Sequence, residues 1–122
     1  MVIKVDVFGE KEVKSFLKTK EKNVVKLEQQ GLKNAALFMQ GEVKASIAGQ
    51  RAEPTSVDTG RFLNSVDFQV GKDDAVVYTD LEYPKFLEYG TSKLIPRKHF
   101  QNSKARNQSK AIGIVESEIK KV

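Results

Sequence analysis

The chain of 122 residues contains no cysteine, no tryptophan and a single histidine, His99. Without cysteine no disulfide forms, and with one imidazole and no thiolate the usual nitrogen and sulfur ligand sets of zinc sites are ruled out. Long apolar runs are also missing. None approaches the roughly 20 residues needed to cross a bilayer, so no membrane partner is expected. The opening residues Met-Val-Ile-Lys-Val-Asp-Val-Phe lack the longer apolar region and small-residue cleavage site of a signal peptide. Secretion is therefore not expected, and the missing cysteines fit a cytoplasmic origin. Internal repeats and low-complexity tracts are absent as well.

What is present describes one globular domain spanning 1–122. Apolar residues make up 39% and charged residues 30%, enough to bury a core at this length without disulfides or metals. The formal charge of +5 is modest. Its distribution says more: Lys93, Arg97, Lys98, Lys104, Arg106 and Lys110 fall in a stretch, 93–110, that holds no acidic residue. Such a stretch suits a phosphate backbone, an acidic protein neighbour or plain solvation, because basic surface steers without specifying a partner.

The patterning predicts an α+β fold: a small antiparallel or mixed β-sheet packed with a long N-terminal helix, a short helix and a C-terminal helix. Ile3, Val5 and Val7 alternate with Lys4 and Asp6 as in a strand. From Val13 to Ile47 the apolar positions recur mostly three, four or seven apart, which predicts a helix from about 11 to 47, roughly 55 Å long. That is longer than one small core needs, so part of its apolar face is expected to meet something else. Gly31, Gly41, Ala35, Ala36 and Ala45 thin this helix, either for close approach by a sheet or another chain, or to relieve a crowded core. A loop follows over 48–58, and Asp58 or Thr59 is positioned to cap a helical turn at 61–65. Two strands, 66–70 and 75–79, are joined by Gly71-Lys72-Asp73-Asp74 as an antiparallel hairpin. Tyr83, Phe86, Leu87 and Tyr89 have helical spacing, Pro84 suits the first turn, and Gly90 suits the end. An additional edge strand near 92–96 is expected, then a C-terminal helix over about 99–121. The largely polar run between Phe100 and Ala111 predicts fraying or a break near Asn107.

Candidate chemistry is sparse, and no enzyme is expected. His99 has no serine, cysteine or paired carboxylate beside it in sequence. Asp73-Asp74 and Asp80 with Glu82 offer oxygen ligands without calcium-loop spacing. Gly90-Thr91-Ser92-Lys93 lacks the leading glycine of a phosphate loop. No cofactor is implied. Tyr83, Phe86 and Tyr89 read either as core and rim aromatics or as a rigid subunit contact. Glu88 is then a solvated acid or the partner of a neighbouring subunit's Arg97 or Lys98.

Three segments stand in order behind the strand and long helix: Asp58-Thr59-Gly60-Arg61-Phe62-Leu63-Asn64-Ser65, Tyr83-Pro84-Lys85-Phe86-Leu87-Glu88-Tyr89-Gly90-Thr91, and Pro96-Arg97-Lys98-His99-Phe100. In this order the chain resembles the gene-product-ten-like family of long-tailed phages, small neck, tail-terminator and tail-completion proteins. It departs from the family pattern where Arg61 precedes Phe62-Leu63, where Pro84 replaces an alanine, and where Lys98-His99 precede Phe100. The resemblance implies a structural virion protein of the head–tail junction in a phage or prophage, present in the host cytoplasm during assembly. It implies a homo-oligomeric ring, six-fold in tail terminators, that contacts tail tube and head connector and lets DNA pass. It places Thr59, Gly60, Phe62 and Leu63 in the loop-to-strand region, and Tyr83, Phe86, Glu88, Tyr89, Gly90 and Thr91 at the shaping or subunit-contact turn. Phe100 anchors the last segment. Interface candidates are accordingly Tyr83, Phe86, Glu88, Tyr89, Arg97 and Phe100, while Lys93, Lys98, Lys104, Arg106 and Lys110 are candidates to face DNA. The alternative is a nucleic-acid binding module using 93–110.

Overall fold

A computed structural model describes residues 3–8, 22–56, 60–72 and 74–119. Strand β1 (Ile3–Phe8) is followed by helix α1 (Lys22–Ile47), the short helix α2 (Arg61–Ser65), strands β2 (Asp67–Val70) and β3 (Ala75–Thr79), the short helix α3 (Pro84–Tyr89) and helix α4 (His99–Ile119). The sheet order is β1-β3-β2 with both pairings antiparallel. The architecture is the expected α+β one. The part of the long-helix expectation covering 11–21 lies outside the described residues, as do Asp58 and Thr59. The residue at the start of α2 is Gly60, at φ 81°, with no side-chain cap.

The apolar stripe of α1 buries Leu32, Ala35, Ala36, Met39, Val43 and Ile47, spaced three and four apart. Helix α4 answers with Phe100, Ser103, Asn107, Ala111 and Val115. The two helices cross closely at Gly31: a Cβ there would stand 3.0 Å from Val115 Cα. At Gly31 the thinness of α1 thus serves a partner within the chain, whereas Gly41 is exposed, with no atom of another element within 4 Å of a Cβ placed there. Ala75 and Val77 of β3 and Phe62 and Val66 close the core from the sheet side.

Two expectations are corrected. Helix α4 runs unbroken from His99 to Ile119. Asn107 is buried and its Nδ2 donates to the carbonyl of Ser103, 3.0 Å away, so its amide is satisfied on its own helix instead of interrupting it. No strand forms at 92–96. Gly90, at φ 76°, turns the chain back so that Thr91 and Leu94 make only an isolated bridge.

Candidate functional site

The three motif segments, far apart in sequence, meet on one aromatic ring. Phe62 has ring centroids 6.1 Å from Tyr83, 6.0 Å from His99 and 6.3 Å from Phe100. The first two contacts are edge-on and the third is stacked, geometries that favour aromatic rings over a simple sandwich. Backbone bonds tighten the junction. Arg97 N donates to the Leu87 carbonyl at 2.6 Å, and Gly90 N to that of Phe86 at 2.9 Å. Gly90 cannot be replaced without movement, because a Cβ would fall 2.7 Å from the Leu94 carbonyl oxygen.

Glu88 is the second clasp, and its position corrects the expectation of an intersubunit ion pair. It is 1% exposed. Its two oxygens accept the backbone N–H groups of Phe100 and Gln101, each at 2.9 Å. The first N–H groups of α4 have no intrahelical acceptor, so a carboxylate brought from α3 satisfies two of them and meets the positive end of the helix. Burial raises its pKa above the usual carboxylate value, against the lowering effect of the two backbone bonds. Phe100, likewise expected at an interface, is fully buried. It anchors the last segment from inside.

Around His99 lies a polar chain that the sequence did not reveal. Glu53 is buried and takes a bidentate contact from Arg106, Nη1 to Oε2 at 2.6 Å and Nη2 to Oε1 at 2.8 Å. The Arg106 hydrogen bonds are the main reason that the Glu53 pKa falls to about 2, so the carboxylate is ionised near neutrality. Ser46 Oγ then donates its single proton to Glu53 Oε1 and must accept from His99 Nδ1, 2.8 Å away. Burial pushes the His99 pKa down to about 4, leaving a neutral ring. Its Nε2 is therefore the acceptor for the Ser56 hydroxyl at 2.7 Å, while Arg97 Nη1 donates to Ser56 Oγ at 2.9 Å and to the Thr55 carbonyl at 2.6 Å. The hydroxyl protons of Ser46 and Ser56 and the single imidazole proton in the chain Arg97–Ser56–His99–Ser46–Glu53–Arg106 are all committed. The arrangement fastens the loop after α1 to the start of α4, and its imidazole is a weak base with no exposed edge. Serines 46 and 56 lie 53 and 43 positions from His99, which local inspection does not link.

This network also corrects two surface assignments. Arg97, expected at an interface, and Arg106, expected to face DNA, are both engaged within the chain. Lys93, Lys98 and Lys110 are exposed and Lys104 is half-buried. At about 100° per residue, Lys104 and Lys110 sit on different sides of α4, so the basic stretch is not one face. Among the described residues, no group of three or more histidine, aspartate or glutamate side chains is disposed to hold a metal.

The framework leaves an apolar rim on its outside. Tyr83 is 40% exposed, Phe86 46%, Tyr89 58% and Ile95 84%. Lys85 Nζ lies 5.1 Å from the Phe86 ring centroid. Leu63 is partly buried against the core, and Thr91 makes the bridge with Leu94. No family model, curated protein or solved structure matches the chain. No helix among the described residues is long and apolar enough to cross a membrane.

Proposed function

We propose that the chain is a structural subunit of the head–tail junction of a long-tailed phage or prophage, assembling into a ring that ends the tail tube or joins it to the head connector. The observation that carries this reading is the rim of Tyr83, Phe86, Tyr89 and Ile95, held in place by the convergence of the three motif segments on Phe62. Large aromatic side chains fixed on a packed base give contact area at little entropic cost, the usual make-up of a protein-binding surface. Polar groups at the same place are spent on one another, in the Glu88 clasp and the His99 chain, so the framework serves rigidity. A closed ring would engage such surfaces between copies without generating an endless fibre. Lys93, Lys98, Lys104 and Lys110 remain available to DNA crossing the lumen.

The test is electron microscopy of isolated tails mixed with the purified protein, with native mass measured over a range of concentrations. Rings at one end of the tail are the expected result. A protein that stays monomeric at all concentrations and leaves tail ends bare would overturn the reading. The nucleic-acid alternative is weakened because Arg97 and Arg106 are engaged internally. Its signature would be duplex DNA retention that falls steeply with added salt.

A further inference from the structure

The β2–β3 hairpin carries two surfaces of opposite chemistry. Its register pairs Asp67 with Tyr78 at one end and Val70 with Ala75 at the other. At the first end Asp67 and Asp80 are exposed, Asp67 stands directly across from Tyr78 in the register, and the Tyr78 pKa is raised by burial first and then by the two carboxylates. The chain leaves this end through Glu82 into the exposed aromatics Tyr83 and Phe86. This is an apolar surface edged with acids. Glu82 is partly occupied by Lys85, 3.7 Å away, so Asp67 and Asp80 carry the acidic character.

On the face of β2 turned toward α1, a groove of about 510 Å³ runs along the strand, lined by Lys26, Gln29, Gln30, Lys33, Phe68 and Val70. Phe68 and Val70 are half-buried and form its apolar floor, while Lys26 and Lys33 are exposed on its walls. Gln29 Nε2 bonds the Lys72 carbonyl and ties the hairpin turn to α1, which fixes the groove's depth. The exposed Lys72 adds a third cation, and the Asp74 carboxylate is folded back against Gly71 of its own turn. Strand β2 is an edge strand with one neighbour, and among the described residues no strand pairs with its outer side.

We propose that the groove formed by Lys26, Lys33, Phe68 and Val70 receives the Asp67, Asp80, Tyr83 and Phe86 end of a second copy of this chain. The occupant is argued from complementarity: an apolar floor with basic walls faces an apolar surface with acidic edges. Because Asp67 lies on one face of β2 and Phe68 and Val70 on the other, the two surfaces of one copy face away from each other, and the contact is head-to-tail. Two-fold pairing would need both surfaces turned to the same partner, whereas a ring engages them on two neighbours. The inference rests on the ring reading above and specifies its subunit contact.

Charge reversal tests it with an internal control. Lys26→Glu with Lys33→Glu makes both surfaces acidic, and Asp67→Lys with Asp80→Lys makes both basic. Each variant alone should lose self-association by at least about tenfold in the concentration required, since like charges meet at every contact. Mixed one to one, the two variants should associate again in equal numbers, because each end then finds an opposite groove. A folding defect would not be repaired by mixing. Native mass spectrometry and sedimentation read the outcome, and if association occurs only on tails, ring density at tail ends replaces them. If the wild type forms rings and both variants alone do so equally well, or if mixing restores nothing, the inference is overturned and the ring reading stands. If the wild type neither self-associates nor binds tails, the ring reading fails and the inference with it.

Discussion

Mild acid should loosen this protein through His99, and the size of the effect follows from its burial. The ring is fully buried and neutral, with its pKa pushed from 6.5 down to about 4. A histidine whose folded pKa is depressed contributes stability that is complete above the unfolded value and is lost as pH falls through the folded one. The window therefore opens near 6.5 and closes near 4. Linkage gives a loss of about 2 kcal/mol between about pH 7 and about pH 5. Glu53 has the same sign, but its window lies lower, from 4.5 to about 2, so it adds little above about pH 5. Glu88 has the opposite sign: its raised folded pKa means that stability is gained as pH falls through that value. Comparison with His99→Gln separates these. The amide can donate to Ser46 and accept from Ser56 without titrating, and both proteins share the Glu88 and Glu53 contributions. Urea unfolding followed by circular dichroism and tyrosine fluorescence, at several pH values, supplies the free energies. The wild type should lose about 2 kcal/mol relative to its own value at pH 7 while the variant, though less stable at the outset, loses much less. Equal slopes in the two proteins would refute the assignment of a buried neutral imidazole.

Glu88→Gln should destabilise the monomer by about 1–3 kcal/mol, because one carboxylate oxygen that accepted an α4 N–H becomes a donor facing a donor. The check is unfolding measured at concentrations where the protein is monomeric; unchanged stability there would return Glu88 to the surface role that its sequence position suggested. Arg106→Gln should cost about 1–3 kcal/mol, discounted for a guanidinium side chain 33% exposed. It should also move the Glu53 acid transition to higher pH while leaving the salt dependence of any DNA retention unaltered. A reduced salt slope would instead mean that Arg106 touches phosphate.

Periodic features of this fold could be read from sequence because they are local. The three- and four-residue spacing of Leu32, Ala35, Met39, Val43 and Ile47 encodes a helix face whatever lies opposite. Likewise Phe68 and Val70 alternate with Asp67 and Gln69 beside a turn-forming segment, so the hairpin follows from residues close in the chain. The polar run around Asn107 predicts a weak helix, but the structure holds it intact. The Asn107 amide bonds to the Ser103 carbonyl one turn back, and the helix is held by burial along α1 instead of by propensity. The edge strand near 92–96 failed where a left-handed glycine reversed the chain within a few residues.

Long-range polar partners were the part that could not be read. Nothing near Glu88 signals that its carboxylate closes the first turn of a helix twelve residues later, and nothing near His99 signals Ser46, Ser56 or Glu53. Sequence alone consequently places charged residues at surfaces, since an unpaired charge belongs in water. Once Glu88, Glu53, Arg97 and Arg106 are seen to bind within the chain, fewer groups remain for recognition, and they sort cleanly. Asp67 lies on one face of β2, beside the end from which the chain runs to Asp80 and the aromatics, and the apolar floor with Lys26 and Lys33 lies on the other face. Specificity between copies then depends less on the number of charges than on their separation along β2. Three steps of about 3.3 Å from Asp67 to Val70 put the two ends some 10 Å apart, beyond the Debye length of about 8 Å at physiological salt. Each end therefore acts on a partner without cancelling the other, which is what a directional, repeating contact requires.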